Sequence, residues 1–252
     1  MDHESYWLTD EQFSRLEPHL PTNTRGKPRV DDRRVISGIV HVLKSGCRWA
    51  DAPAIYGPRK TLYNRFVRWA EKGVWSDVFH ALASADGPPA QVLIDSSAVK
   101  AHRCAAGGKG GSLNQAIGRS CGGRTTKIHA LTDRDCRPLA FLLTGGQVAD
   151  CSAADTLLEW LPETVLVHGD KGYDSDAVRR KIEARGAAPN IPPKTNRRWK
   201  CCFSPVLYRD RNAIERMFGR IKDFRRIATR YDRLAQNFLA AVCLVATICY
   251  WL

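Results

Sequence analysis

Two short apolar runs, each closed by an aspartate, constrain this chain most. QVLID ends in Asp95 and VLVHGD ends in Asp170. Short apolar runs bounded by turn signals read as buried strands. Between them lie two further strand patterns, TTKIHALTD and RPLAFLLTGG, joined at 133–137 as a hairpin. A helix is expected at 153–161, an amphipathic helix at 175–185 and a last short strand at 187–191. Strands alternating with helices predict an α/β region with a mixed five-stranded sheet flanked by helices. An acid at the end of a buried strand sits at the sheet rim, where α/β folds place ligands. Either aspartate alone also reads as the cap of the next helix.

Upstream of Gly87-Pro88-Pro89 the pattern is all helical, so the chain divides into 1–88 and 89–252. Thr9 with Gln12 forms a capping box for a helix over 9–20. A turn follows at 21–28. Asp31 or Asp32 caps a second helix that Gly46 ends. A third, 59–72, buries Leu62, Phe66, Val67 and Trp69 and offers Arg65 and Arg68 among its polar residues. A fourth covers 74–85. Helix, turn and basic helix is the form of a helix-turn-helix DNA reader, and equally of an ordinary helical bundle.

The stretch 208–222, YRDRNAIERMFGRIK, reads as a helix, either throughout or, with Asp210 or Asn212 as its cap, from beyond Tyr208. At about 100° per residue, Tyr208, Arg211, Glu215 and Lys222 fall within roughly 60° of arc. Leu207, Ile214, Met217, Phe218 and Ile221 fill the adjoining arc. An exposed Glu–Arg face is the plain reading of such a helix. The charge distribution favours more. The net charge is +13, and residues 194–233 carry 13 basic against 4 acidic side chains. A basic region of this kind favours a polyanion, because phosphate contacts release counterions. Nucleic acid is the expected partner, ahead of an acidic membrane surface.

Other features bear on class. The glycine-rich stretch 105–123 holds no P-loop pattern; it reads either as a connector or as a mobile basic loop over a phosphate backbone. Nine cysteines without a Cys-x-x-Cys point to reduced thiols in a cytoplasm. The acidic N-terminus does not read as a signal peptide. The tail LAQNFLAAVCLVATICYWL approaches the length of a bilayer span, but Gln236 and Asn237 argue for a buried core helix. No membrane partner is expected.

Asp95, Asp170 and Glu215 together supply three carboxylates around one rim. Such oxygen donors suit Mg²⁺ or Mn²⁺, and a pair of these ions can clamp an in-line phosphoryl transfer. No Ser-His-Asp spacing or reactive cysteine motif competes.

These residues carry a resemblance. Tyr208-x2-Arg211-x3-Glu215-x6-Lys222 resembles the Tyr-Arg-Glu-Lys signature of bacterial insertion-sequence DDE transposases. IDSSAVKAHR, GGRTTKIHALTD, LTGGQVAD, GDKGYDS and RNAIERMFGRIKDFRRIATRYD resemble the insertion-sequence-five branch. Cys136 departs from the glycine usual in that hairpin turn. The resemblance implies a ribonuclease H-like fold with Asp95, Asp170 and Glu215 as catalytic and metal-binding triad. It implies metal-dependent cleavage at terminal inverted repeats and joining of the 3′-hydroxyls to target DNA. A homodimer or larger paired-end complex in the bacterial nucleoid follows. Tyr208, Arg211 and Lys222 would contact DNA, with Arg225, Arg226, Lys171, Lys127, Arg65, Arg68 and Trp199 as further candidates. Trp199 reads either as a base-stacking residue or as a packed loop residue. A DNA-binding regulator without activity, or a nuclease without strand transfer, are the alternatives.

Overall fold

The computed structural model describes residues 5–22 and 29–252. The turn expected at 21–28 lies outside the described residues from 23 onward. Thr9 and Gln12 form the capping box of α1 (Asp10–Leu16). Asp31 caps α2 (Asp32–Ser45), which ends at Gly46 with φ 76°. A Cβ on Gly46 would also stand 2.7 Å from Arg225 Cβ, so both the left-handed backbone and a close neighbour require glycine. α3 (Arg59–Glu71) and α4 (Val74–Ala83) complete the helical segment.

From Gln91 the chain runs β1 (Gln91–Ala101), α5 (Gly111–Asn114), β2 (Gly118–Ser120), β3 (Gly123–Asp133), β4 (Pro138–Gly145) and α6 (Asp150–Leu157). It continues through β5 (Leu166–Gly169), α7 (Asp176–Ala184), β6 (Ala188–Asn190), α8 (Pro205–Tyr208) and α9 (Asn212–Lys222). α10 (Arg225–Ala228), β7 (Thr229–Arg230) and α11 (Ala235–Ala246) close it. β3 pairs antiparallel with β1 and β4. β5 lies parallel to β1, and β6 parallel to β5.

The mixed sheet has seven strands, not five. The two extra strands extend existing edges: β2 pairs with the start of β3, and β7 with the end of β1. At three and two residues they are too short to show a periodic pattern. β2 and α5 also give the glycine-rich stretch secondary structure of its own. Asp95 is mid-strand rather than at a strand end, because the polar half of β1, Ser96–Lys100, stays paired with β3. The helix expected at 208–222 is broken. α8 ends at Tyr208, and a 3-10 turn, Arg209–Arg211, separates it from α9. α6 starts at Asp150, three residues earlier than expected. Cys136 stands at φ 69° in the hairpin turn, a backbone that favours glycine.

Alternation along β1 sorts its side chains to two faces. Val92 and Ile94 join Leu131, Leu157, Val167 and Ile182 under α6 and α7. Leu93 and Val99 face the other way. They share a core with Phe66, Trp75 and Phe79 of the N-terminal helices and with Ile214, Phe218, Phe238 and Val242 of α9 and α11. α11 is therefore a core helix common to both segments. Among the described residues no helix is long and apolar enough to cross a membrane.

Candidate active site

The register of β1 and β5 positions two of the acids. Ile94 pairs with Gly169 as the last pair between these parallel strands, so Asp95 and Asp170 follow it side by side, Asp95 within β1 and Asp170 just past β5. The Ser96 amide donates to Asp95 Oδ1 at 2.8 Å. Asp170 caps the following turn, accepting from the Gly172 amide at 2.8 Å. α9 buries Ala213, Ile214, Met217, Phe218 and Ile221 against the sheet. This leaves Glu215 exposed at the rim, one turn into the helix.

Arg211 joins the two sides. Its Nη1 donates to Glu215 Oε1 at 2.5 Å and its Nη2 to Asp95 Oδ2 at 3.2 Å. Its Nε is buried without a hydrogen-bond partner. Burial pushes the Asp95 carboxyl up to about 6; the Asp170 and Glu215 charges act in the same direction, while the Ser96 amide and Arg211 oppose it. Three carboxylates are hard donors of the kind a divalent cation takes. Among the described residues no three His, Cys, Asp or Glu side chains are already grouped to hold one. Arg211 spans Asp95 and Glu215 instead.

The rest of the signature lines the same groove. The Arg211 guanidinium lies over the Tyr208 ring, 5.8 Å from its centroid, and Phe203 packs edge-on against Tyr208 at 5.2 Å. Burial raises the Tyr208 hydroxyl above its ordinary value. Lys222 Nζ donates to Ser97 Oγ at 2.6 Å and to the Ala98 carbonyl at 3.2 Å, and burial lowers its pKa. Ser97 shares the face of β1 that carries Asp95.

The other candidates fall into two groups. Lys171, Arg68 and Arg225 are exposed, and Trp199 is 81% exposed. Arg65 pairs with Asp32 and stacks on Trp69 at 4.8 Å. Arg226 is 7% exposed, donates to the Cys47 carbonyl at 2.9 Å and lies between Trp49 and Tyr231. Lys127 donates to the Val148 carbonyl at 2.8 Å and to Asp150 Oδ1 at 3.0 Å. These three cations are engaged internally.

Trp199 stands on a loop with a fixed base. The Ser204 amide donates to Asn190 Oδ1 at 2.8 Å, and Asn190 Nδ2 donates back to the Ser204 carbonyl at 3.2 Å. Asp174, its side chain fully buried, accepts from Arg179 Nε at 2.9 Å, Arg197 Nε at 2.6 Å and the Lys194 amide at 2.7 Å.

Sequence reasoning passed over Asp150. Its Oδ1 accepts from Ser96 Oγ at 2.8 Å and stands 3.9 Å from His129 Nδ1. Burial pushes His129 down to about 4, so at neutral pH Lys127 supplies the counter-charge. The available signal was an acid in a first helical turn, closing LTGGQVAD.

Residues 8–79 match the family described as "Putative transposase of IS4/5 family", and residues 86–252 match the family described as "Transposase DDE domain". The chain is 33% identical over 129 residues to the "Putative transposase for insertion sequence element IS6501" of Brucella ovis, covering 51% of this chain and 98% of that one. It is 28% identical over 137 residues to the corresponding protein of element IS402 of Burkholderia cepacia, covering 50% of this chain and 63% of that one. The piggyBac transposase, solved as a synaptic complex with hairpin DNA, shares the fold. Its TM-score is 0.55 at 11% identity, over 96% of this chain and 72% of the other.

Proposed function

The chain belongs to the transposase DDE domain family, and from that premise we propose that it cleaves the terminal inverted repeats of an insertion sequence and joins the freed 3′-hydroxyls to target DNA. It is a DDE-type DNA transposase. The observation that carries the finer reading is the placing of Asp95 and Asp170 next to the last pair of two parallel strands, with Glu215 tied to Asp95 through Arg211.

Family chemistry depends on a divalent metal, and the oxygen-only donor set fits Mg²⁺ or Mn²⁺. Asp95, Asp170 and Glu215 would hold it, as one ion or a pair. When bound, it supplies charge stabilisation for the phosphoryl group and a more acidic attacking oxygen. The chain's own residues do the rest. Arg211 releases its carboxylates and takes a phosphate oxygen with the same two Nη groups. Tyr208 and Lys222 flank that phosphate along the groove. Exposed Lys171, Arg68 and Arg225 add contacts to the backbone, and Trp199 offers a face on which an unpaired base can stack. Lys127, Arg65 and Arg226 serve the framework. Segment 1–88 reads the ends, and 89–252 carries the chemistry. Two or more copies act on paired ends.

The test is incubation of purified protein with DNA carrying the cognate ends and Mg²⁺ or Mn²⁺. Joined products are expected. Nicks without joining would reduce the protein to a nuclease, and binding without cleavage to a regulator. Glu215→Gln is expected to abolish cleavage and keep end binding; comparable cleavage in that variant would remove Glu215 from the triad.

A further inference from the structure

The geometry points to Asp150 as a positioning residue that sets the spacing of the acid pair, an inference resting on the reading of Asp95 and Asp170 as catalytic acids. Asp150 lies in the first turn of α6 with its side chain 26% exposed. A surface acid at a helix start ordinarily gains only a weak dipole or ion-pair contact. This one is placed between both strands that carry the acids.

On one side it holds β1. Asp95 and Ser97 point to the α9 face, and Ser96 points to the opposite face. Asp150 Oδ1 accepts from Ser96 Oγ at 2.8 Å, so it grips β1 directly behind Asp95. Lys127 of β3, at 3.0 Å, neutralises the charge and ties the same oxygen to the next strand. On the other side stands the Asp170 turn. A Cβ on Gly172 would lie 2.8 Å from Asp170 Oδ1 and 3.5 Å from Asp150 Oδ2. Asp170 Oδ1 and Asp150 Oδ2 therefore both lie close to Gly172, and a side chain there would press first on Asp170. The neighbouring residue adds a second tie, Cys151 Sγ donating to the Gly172 carbonyl at 2.6 Å. Tyr173, fully buried, packs beneath. The start of α6 thus holds the backbone beside Asp95 through the Asp150 carboxylate and the turn of Asp170 through Cys151, without belonging to the face on which DNA would lie.

Residues that orient metal-binding carboxylates typically change metal affinity or rate by about tenfold to a hundredfold when removed. Asp150→Ala in the full chain is expected to bind end DNA within about twofold of the parent. It should cleave about a hundredfold more slowly in single turnover at saturating DNA, and need about tenfold more Mn²⁺ for half-occupancy, read from the electron paramagnetic resonance of free Mn²⁺. Asp150→Asn keeps an acceptor for Ser96 and is expected to recover part of both losses. Ser96→Ala removes the hydroxyl that binds Asp150 and keeps the amide that binds Asp95; it should reproduce part of the slower cleavage, and it stands in if Asp150→Ala does not fold. A lowered melting temperature with unchanged rate and Mn²⁺ occupancy per folded molecule would overturn the inference. Asp170→Asn separates the two readings. If it cleaves like the parent, the acid assignment itself fails. If it is inert while Asp150→Ala and Ser96→Ala cleave like the parent, only the role of Asp150 fails.

Discussion

Asp174 shows how a single buried charge organises the neighbourhood of the acid turn. Four residues beyond Asp170, it gathers Arg179, Arg197 and the Lys194 amide. Burial alone would raise its carboxyl, but the hydrogen bonds from Arg197, the Lys194 amide and Arg179 outweigh it and hold the group down at about 2. A carboxyl depressed in the folded chain stabilises fully above its unfolded pKa, and that contribution drains as pH falls through the folded value. The window here is about pH 4 down to about pH 2, and the amount roughly 2 kcal/mol. Asp174→Asn should flatten the stability curve across that window in urea titrations. It should also cost about 3–5 kcal/mol at neutral pH, because two guanidinium groups lose their buried partner. The acids at 95, 170 and 215 were legible in the sequence because each closes or punctuates a periodic run. Asp174 and Asp150 were not. Apart from Arg179, five residues on from Asp174, their partners lie 20 or more residues away, and no local pattern encodes a meeting of that kind.

At the level of elements, the helical starts and stops followed their chemical signals closely. The capping box at Thr9, the cap at Asp31 and the stop at Gly46 all form as composition predicts. What failed was continuity. The arc that gathers Tyr208 with Arg211, Glu215 and Lys222 assumes one straight helix, whereas Tyr208 ends α8 and a 3-10 turn intervenes. Tyr208 still reaches the groove, through its contact with Arg211 rather than through helical register. Close packing between elements sets a second limit that periodicity does not show. Gly38, inside α2, faces Tyr56: a Cβ there would stand 2.6 Å from Tyr56 Cβ. Gly38→Ala raises helix propensity yet overpacks this contact, and a net loss of about 1–3 kcal/mol is expected in denaturant titrations.

Over the whole molecule, one core links the N-terminal helices to the sheet. α11 packs against both, with Phe238 fully buried. Phe238→Ala is expected to cost about 3–5 kcal/mol. Circular dichroism and tryptophan fluorescence should report the same single transition in parent and variant, because neither segment keeps a closed core without the helix. Charge acts on the same scale. With 13 basic side chains in residues 194–233, binding of end DNA should weaken steeply with salt. A log–log slope near zero in anisotropy titrations would contradict a basic surface that binds phosphates. By itself, the sequence determined what local periodicity and local chemistry determine: an α/β region after a helical segment, the caps and the basic stretch. The tertiary structure decided what depends on distant elements meeting. It sets the strand register that brings Asp95 beside Asp170, the guanidinium that spans Asp95 and Glu215, and the carboxylate of Asp150 behind them. Contacts within a turn or a strand are encoded by neighbouring residues, whereas contacts between strands and helices exist only once the shared core has closed.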